Sequence, residues 1–239
     1  MLIDRLIKAV PNRLQLATRY NVARLLGETR NIDVLEQIDC ARRRCVDVGA
    51  DNGVCTYRLA QMFDAVEAFE PLWDRAIVIS NSRLRNVRLH NVALSESNGY
   101  GRFKTGGDCL QRVSAANPFD TLEDGSMVIV RLRTMDSFHY ADVDLIRIDA
   151  KGRELDVIAG AVDTIAENRP VLLMTIEQRY LKMKRIEAVL EQVKSLRYDC
   201  RFVLGGELRP IREFSLDRHQ KYVDPTHDEY VKDFIFHPR

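Results

Sequence analysis

The sequence predicts an α/β fold: a doubly wound, mostly parallel sheet preceded by an N-terminal helical arm. Three observations carry this. From residue 45 onward, short apolar runs bounded by glycine or polar turns alternate with stretches of helical periodicity. Buried parallel strands read in this way, as near-continuous hydrophobic runs separated by crossover helices. A glycine-rich turn leaves the first run and opens a helix, and a carboxylate closes the second run.

Each element follows from its own residues. Leu2, Ile3, Leu6, Ile7 and Val10 form a helical stripe, so residues 1–40 are expected to be a helical arm, broken near Pro11-Asn12 and ending before Arg42-Arg43-Arg44. Residues 41–239 then form the main domain. Strands are expected at 45–48, 65–69 and 87–90, with helices running to about 63 and over 73–84. Residues 95–128, rich in Gly, Ser, Asn and Asp, read as loops and short β pieces inserted after the third strand. Alternation resumes with strands at 128–132, 144–148 and 171–176 and helices at 153–167 and 181–196. Residues 198–204 and 207–211 flank Gly205-Gly206, the signature of a hairpin whose turn needs positive φ. Residues 234–236, Phe-Ile-Phe, read as the last strand.

Composition narrows the function classes. The 239 residues hold 36 Lys+Arg against 35 Asp+Glu, a formal charge of +1. A dedicated nucleic-acid or anionic-membrane binder normally rests on a net basic field, which this chain lacks. The longest stretches without Asp, Glu, Lys or Arg are seven residues, as at 170–176, far short of the roughly 20 apolar residues of a membrane span. The N-terminus lacks the unbroken apolar core of a secretory signal. Five cysteines, an odd number with no C-x-x-C pair, disfavour a disulfide framework and a zinc ribbon. The expectation is a soluble protein of the reducing cytosol.

The chemistry concentrates at two places. Val46-Asp47-Val48-Gly49, followed by Gly53, lies between a strand and a helix, where glycines admit a ligand to the backbone. Glu70 ends the next strand, placed to accept both hydroxyls of a ribose across the sheet. A dinucleotide site would want G-x-G-x-x-G, but position 51 is Asp. The loop instead fits a ligand with one ribose and no phosphate, S-adenosyl-L-methionine. The second place is the segment 148–154, where Asp149 follows an apolar strand and should emerge at the sheet's carboxyl end. Asp149 is the candidate base or acceptor-orienting group.

These segments resemble the FkbM-type methyltransferases, class I S-adenosylmethionine-dependent enzymes that methylate hydroxyls of sugars, polysaccharides or polyketides. The matching pieces are VDVGADNG (46–53), AFEP (68–71), NVALSES (91–97), TMD (134–136), DLIRIDAKGRELDVIAGA (144–161) and RPVLLMTIE (169–177). They occur in the family's order and define a core of 46–177, leaving 178–239 for C-terminal strands and a cap. The resemblance implies the seven-stranded class I sheet. It also implies that Asp47, Gly49, Ala50 and Gly53 shape the cofactor loop, that Glu70, beside Pro71, binds the ribose, and that Asn91 and Ala93 lie near the adenine edge. Asn91 is equally readable as a turn-capping amide.

Glu154 and Glu177 join Asp149 as candidate catalytic carboxylates on one rim. For Glu154 the alternative is first-turn stabilisation of its helix. The family's usual Asp-x-Glu-Gly is here Asp149-Ala150-Lys151-Gly152. Lys151 facing the site would disfavour a cation and attract an anionic acceptor; facing solvent it would pair with Glu154. Two or three rim carboxylates could hold a divalent cation, but with Lys151 beside them no metal is expected. Trp73 either covers the cofactor or, more commonly for such a residue, packs on the sheet. His139 and His219 are candidate loop bases, with a surface or hydrogen-bonded role the commoner outcome. The expected activity is O-methylation of a saccharide or secondary-metabolite hydroxyl, without nucleic-acid or membrane partners. The competing readings are a nucleic-acid methyltransferase, a dinucleotide-dependent oxidoreductase disfavoured by Asp51, and a catalytically silent cofactor-binding module.

Overall fold

The computed structural model describes residues 6, 7, 9–27, 29–104, 110–112, 127–181 and 186–239. Helix α1 (Asn12–Leu25) starts directly after Pro11, which ends the preceding turn as the sequence predicts. It buries Leu16, Tyr20 and Ala23, the i, i+4, i+7 stripe of a one-sided helix. A four-residue helix α2 (Arg30–Asp33) then runs into a 3-10 turn at Val34–Gln37.

Next come β1 (Arg44–Val48), α3 (Val54–Met62), β2 (Ala65–Phe69), α4 (Trp73–Ser82) and β3 (Val87–His90). The stretch read as an insertion contributes β5 (Gly99–Lys104) and β6 (Leu110–Arg112) to a separate four-stranded sheet with β4 (Ala93–Leu94) and β7 (Met127–Arg133), in the order β4-β7-β5-β6. Thus residues 128–132, expected to resume the main alternation, belong to this second sheet. Most of the polar insert, residues 105–109 and 113–126, lies outside the described residues.

The main sheet continues with β8 (Val143–Ile148), α5 (Glu154–Ala159), α6 (Val162–Asn168), β9 (Val171–Thr175), α7 (Ile186–Ser195), β10 (Tyr198–Leu204), β11 (Glu207–Pro210) and β12 (Asp233–Pro238). Its order is β11-β10-β12-β9-β8-β1-β2-β3, eight strands where seven were expected. The half from β9 to β3 is parallel, whereas β12 runs antiparallel to both β9 and β10. The sheet is therefore mixed. The extra strand is β11, turned back onto β10 by Gly205 and Gly206 at φ of +60° and +83°.

The single helix expected over 153–167 is two. Gly160 passes so close to the neighbouring loop that a Cβ there would sit 2.1 Å from the Ser95 carbonyl oxygen. The chain breaks at this point, and Asp136 restarts it: its Oδ1 accepts the Thr164 N–H at 2.9 Å and the Thr164 hydroxyl at 2.7 Å. The TMD segment is thus a packing and capping device.

Strand alternation divides the core. Val46, Val48, Ile146, Ile148, Leu172, Met174, Phe234 and Phe236 face α5–α7. Cys45, Leu145, Leu173 and Ile235 face α3 and the segment around Ile32–Leu35. Every residue of β8 is buried, and each large aliphatic in it contributes roughly 1.5–3 kcal/mol. Trp73 does not pack on the sheet; it is 53% exposed at the start of α4. The cysteines at 40, 45, 55 and 200 are free thiols. Among the described residues, no helix is long and apolar enough to cross a membrane.

Candidate active site

The parallel strands deliver their carboxyl ends to one edge, and the chemistry gathers there. β1 ends in a turn at Gly49, whose φ is +79° and where a Cβ would lie 2.2 Å from the Asp149 carbonyl oxygen. Only glycine fits this contact between the β1 and β8 loops. The N–H groups of Gly49 and Ala50 both donate to the Phe69 carbonyl at 3.0 Å, fixing the turn to β2 as well. Gly53, at φ +84°, starts α3 beneath Leu16 and Ile79.

Glu70 is buried where β2 ends. Its Oε2 accepts the Asp51 N–H and its Oε1 accepts the Leu72 N–H, each at 2.9 Å. Burial pushes its pKa up, and the two N–H groups act against that shift. Asn91 donates from Nδ2 to the Glu70 carbonyl at 2.9 Å and the Pro71 carbonyl at 3.0 Å, so its amide clamps this turn.

A cleft opens against these groups. Of the sequence-predicted residues, Gly49, Glu70, Pro71, Ala93 and Asp149 line it, and Val92, Leu94 and Phe103 add an apolar wall. Asp47, Ala50, Gly53 and Asn91 support it from outside the described lining. A glycine turn that admits ligand to the backbone, a carboxylate for a diol and an apolar wall for a flat base fit a nucleoside without phosphate, as S-adenosylmethionine requires.

Asp149 leaves β8 beside the turn, its N–H donating to the Val48 carbonyl at 2.9 Å. Its Oδ2 accepts from Arg147 Nη2 at 2.8 Å, and among the described residues Oδ1 has no partner. Arg147 also donates to Asp47 Oδ1 at 3.0 Å and to the Gly49 carbonyl at 2.9 Å. Asp47, fully buried, further accepts the Thr56 hydroxyl at 2.6 Å. One guanidinium therefore ties the glycine turn to the candidate base. Arg147 is a site residue that the sequence motifs leave unassigned. The signal was present: a lone cation in an apolar strand, two residues before Asp149 and hence on its face.

The other two carboxylates are placed differently from the rim expected for them. Glu154 is 1% exposed and accepts the Gly152 N–H at 2.9 Å, and burial pushes its pKa to about 7. It ties down the turn after Asp149, where Gly152 itself is squeezed against the Tyr180 carbonyl. Glu177 is also buried, accepting the Tyr230 hydroxyl and pairing with Arg179, each at 2.8 Å. Neither borders the cleft among the described residues. Their reach is spent on neighbouring donors because an unpaired buried carboxylate is too costly.

Lys151, in the left-handed region at φ +48°, lines the cleft. His219 is buried among Phe202 and Phe214, its Nδ1 accepting the Ser215 N–H, and His139 closes a 3-10 turn; neither borders the cleft.

No curated protein sequence matches the chain. Among solved structures, a methyltransferase FkbM from Methylobacillus flagellatus KT is similar with a TM-score of 0.54 at 16% identity, and the two share a fold. The match covers 98% of this chain and 58% of that one, so this chain spans little more than half of its relative's length. A TehB-like SAM-dependent methyltransferase from Corynebacterium glutamicum has a TM-score of 0.45 at 11% identity, covering 95% of this chain and 98% of that one. A SAM-dependent O-methyltransferase from Thermotoga maritima has a TM-score of 0.43 at 12% identity, covering 89% and 65%. The model of the methyltransferase FkbM domain matches residues 47–211, well over half of the sequence. The chain belongs to the FkbM methyltransferase family, whose cofactor is S-adenosylmethionine.

Proposed function

We propose that this protein transfers a methyl group from S-adenosylmethionine to a hydroxyl of a saccharide or secondary metabolite. The observation that carries the reading is Asp149, held against the glycine turn with one carboxylate oxygen unpartnered among the described residues. S-adenosylmethionine supplies a methyl group already activated by a sulfonium and leaves as a neutral thioether. Glu70 holds the ribose diol, the Gly49 turn admits the ligand to the backbone, and Ala93 with its apolar neighbours covers the base. Asp47, Ala50, Gly53, Pro71 and Asn91 keep that cradle in shape.

Asp149 accepts the proton of the attacking hydroxyl on Oδ1, while Arg147 fixes Oδ2 and so the direction of the carboxylate. A positioned base of this kind contributes about 10²–10⁴-fold, and holding the acceptor in line contributes the rest. Glu154 and Glu177 act as positioning groups for the loops on either side. Lys151 brings positive charge to the cleft wall, which opposes a divalent cation beside Asp149. The helix Asn12–Leu25 serves as an arm bracing the turn at Gly53 through Leu16, and 41–239 form the catalytic domain.

Isothermal titration with S-adenosylmethionine tests the cofactor site. The wild-type protein should bind, and Glu70→Ala should weaken binding about 10- to 100-fold, the scale of hydrogen bonds to a charged group. Absence of binding by the wild type overturns the assignment. With labelled methyl donor and pooled glycan and metabolite extracts, Asp149→Asn should keep donor affinity and lose turnover by about 10²–10⁴-fold. Unchanged turnover removes Asp149 from the base role.

A further inference from the structure

His219 borders a pocket that, among the described residues, shares no lining residue with the cofactor cleft. Phe202 and Leu204, at the end of β10, form its apolar floor with Phe214, and Arg209, Arg212 and Arg218 line it as well. β10 and β9 each run antiparallel to β12 and hence parallel to each other, so the pocket lies toward the same sheet edge as Asp149. Three strand spacings of roughly 4.8 Å separate β10 from β8, a distance of roughly 14 Å.

The imidazole of His219 is engaged on one side only. The residue is 5% exposed, and its Nδ1 accepts the Ser215 N–H at 3.0 Å. A ring that accepts at Nδ1 is neutral and carries its proton on Nε2. Burial, and then the Arg218 charge, push its pKa down, in keeping with the neutral form. Among the described residues Nε2 has no hydrogen-bond partner, which leaves its N–H as an unspent hydrogen-bond donor at the pocket. The guanidinium groups of Arg212 and Arg218 likewise make no ion pair or hydrogen bond among the described residues. Neighbouring acids do not occupy them: Glu207 is held by Arg209 at 2.6 Å and Asp217 by Lys221 at 3.2 Å. Glu213 lines the pocket as an exposed side chain, and the Glu229 charge acts on His219 against the pull of Arg218. Arg218 and His219 share one π turn, closed by the Tyr222 N–H on the Asp217 carbonyl at 3.2 Å, a conformation found mostly as isolated turns at functional sites.

We propose that this pocket binds a phosphate monoester, with the His219 Nε2–H and the Arg212 and Arg218 guanidinium groups donating to its terminal oxygens while Leu204 and Phe214 cover the body of the ligand. The site is independent of the methyltransferase reading. Hydrogen-bond donors from three residues suit the three terminal oxygens of a monoester, whereas a carboxylate offers two. Guanidinium groups match phosphate geometry and stay charged at every working pH. Glu213 opposes an anion in the pocket, so its carboxylate limits the affinity and its removal should raise it. Residues 212–219 lie beyond 47–211, outside the stretch matched by the family model. The site therefore belongs to this chain's C-terminal segment.

Isothermal titration of the full chain at low salt, with phenyl phosphate, inorganic phosphate and benzoate as probes, tests this. Phenyl phosphate should bind; inorganic phosphate should bind about threefold or more weaker for want of the apolar contacts, and benzoate about tenfold or more weaker. Arg212→Gln and Arg218→Gln should each weaken phenyl phosphate about tenfold or more, the scale of a hydrogen bond to a charged group, and Glu213→Gln should tighten it. His219→Asn keeps an acceptor for the Ser215 N–H, removes the Nε2–H and should weaken binding about fivefold. If that variant does not fold, the arginine variants decide, together with the nitrogen chemical shift of the wild-type His219 Nε2, which should move on titration. S-adenosylmethionine affinity should stay unchanged in the arginine variants. No binding of phenyl phosphate by the wild type, or binding undiminished in both arginine variants, overturns the proposal. A parallel loss of S-adenosylmethionine affinity puts the anion in the cofactor cleft and overturns it too. Benzoate as tight as phenyl phosphate overturns the phosphate assignment, and inorganic phosphate as tight overturns the monoester.

Discussion

The two sides of Asp149 are built on opposite principles. On the side of the glycine turn, Gly49, Glu70 and Ala93 line one cleft and follow three successive parallel strands, each within three residues of a strand end. Short-range backbone constraints place them. On the other side, where Asp149 borders a second cavity, Thr29, Thr175 and Asp233 come from an N-terminal turn, a central strand and the last antiparallel strand. Long-range assembly places them, and side-chain pairing replaces backbone geometry. One side is fixed by backbone contacts around the Gly49 turn and Glu70; the other is fixed by side-chain pairing such as that of Thr175 with Asp233.

The largest effect expected from this contrast is at the glycine turn. Gly49→Ala sets a methyl group 2.2 Å from the Asp149 carbonyl and forces alanine to φ +79°. The overlap and the left-handed backbone together should cost on the order of 3 kcal/mol or more and push the β1 and β8 loops apart. Thermal denaturation should show the loss of stability, and calorimetry the loss of S-adenosylmethionine binding. Retained binding at wild-type strength would mean the turn is softer than its contacts indicate, and the contrast between the two sides would fail.

A smaller effect lies at the junction, in the turn after Asp149. Burial raises the pKa of Glu154 from the ordinary 4.5 to about 7, so the folded state binds a proton there that the unfolded chain has released. Stability from this group is present below about pH 4.5 and is lost as pH rises toward 7, by at most about 3 kcal/mol. Glu154→Gln keeps an acceptor for the Gly152 N–H and removes the titration. The difference in unfolding free energy between variant and wild type should therefore move in favour of the variant across that interval. Glu70 and Asp233 shift in the same direction, so the difference, not the wild-type slope, is the measurement. A pH-independent difference would show that Glu154 is not the titrating group.

The same contrast explains what was legible in the sequence. The strand–helix rhythm, the Gly49 turn, Glu70 and Asp149 are local patterns, and the structure brings Gly49, Glu70 and Asp149 to one cleft. The Gly205-Gly206 hairpin was equally local, although the pattern did not show that its second strand would extend the sheet to eight. Arg147 was visible by parity, yet its partners Asp47 and Asp149 are joined through pairing of β1 with β8, about a hundred residues apart in sequence. Glu154 and Glu177 looked like rim carboxylates because both follow strands. Only the fold reveals that the Gly152 N–H and the Tyr230 hydroxyl occupy them. Trp73 misled for a related reason: its helix has one buried stripe, through Ala76 and Ile79, and position 73 falls off it.

The smallest expected effect is the sharpest check on which carboxylates serve chemistry. Tyr230 donates to Glu177 Oε2 at 2.8 Å, and Arg179 meets the same oxygen at 2.8 Å. Burial and the Glu177 charge push the Tyr230 phenol up, so it stays protonated and remains a donor throughout the working pH range. Tyr230→Phe removes that hydroxyl while leaving the ring and the Arg179 ion pair. Because the site is only partly shielded from water, the loss should be about 1 kcal/mol in unfolding free energy. If Glu177 only anchors the loop after β9, kcat and the acceptor KM should stay within about twofold of wild type, which is the range of a surface hydrogen bond's indirect effects. A tenfold fall in kcat with unchanged donor affinity would return Glu177 to the reacting centre, because a carboxylate that has lost one of two partners is disturbed in orientation and charge far more than in fold.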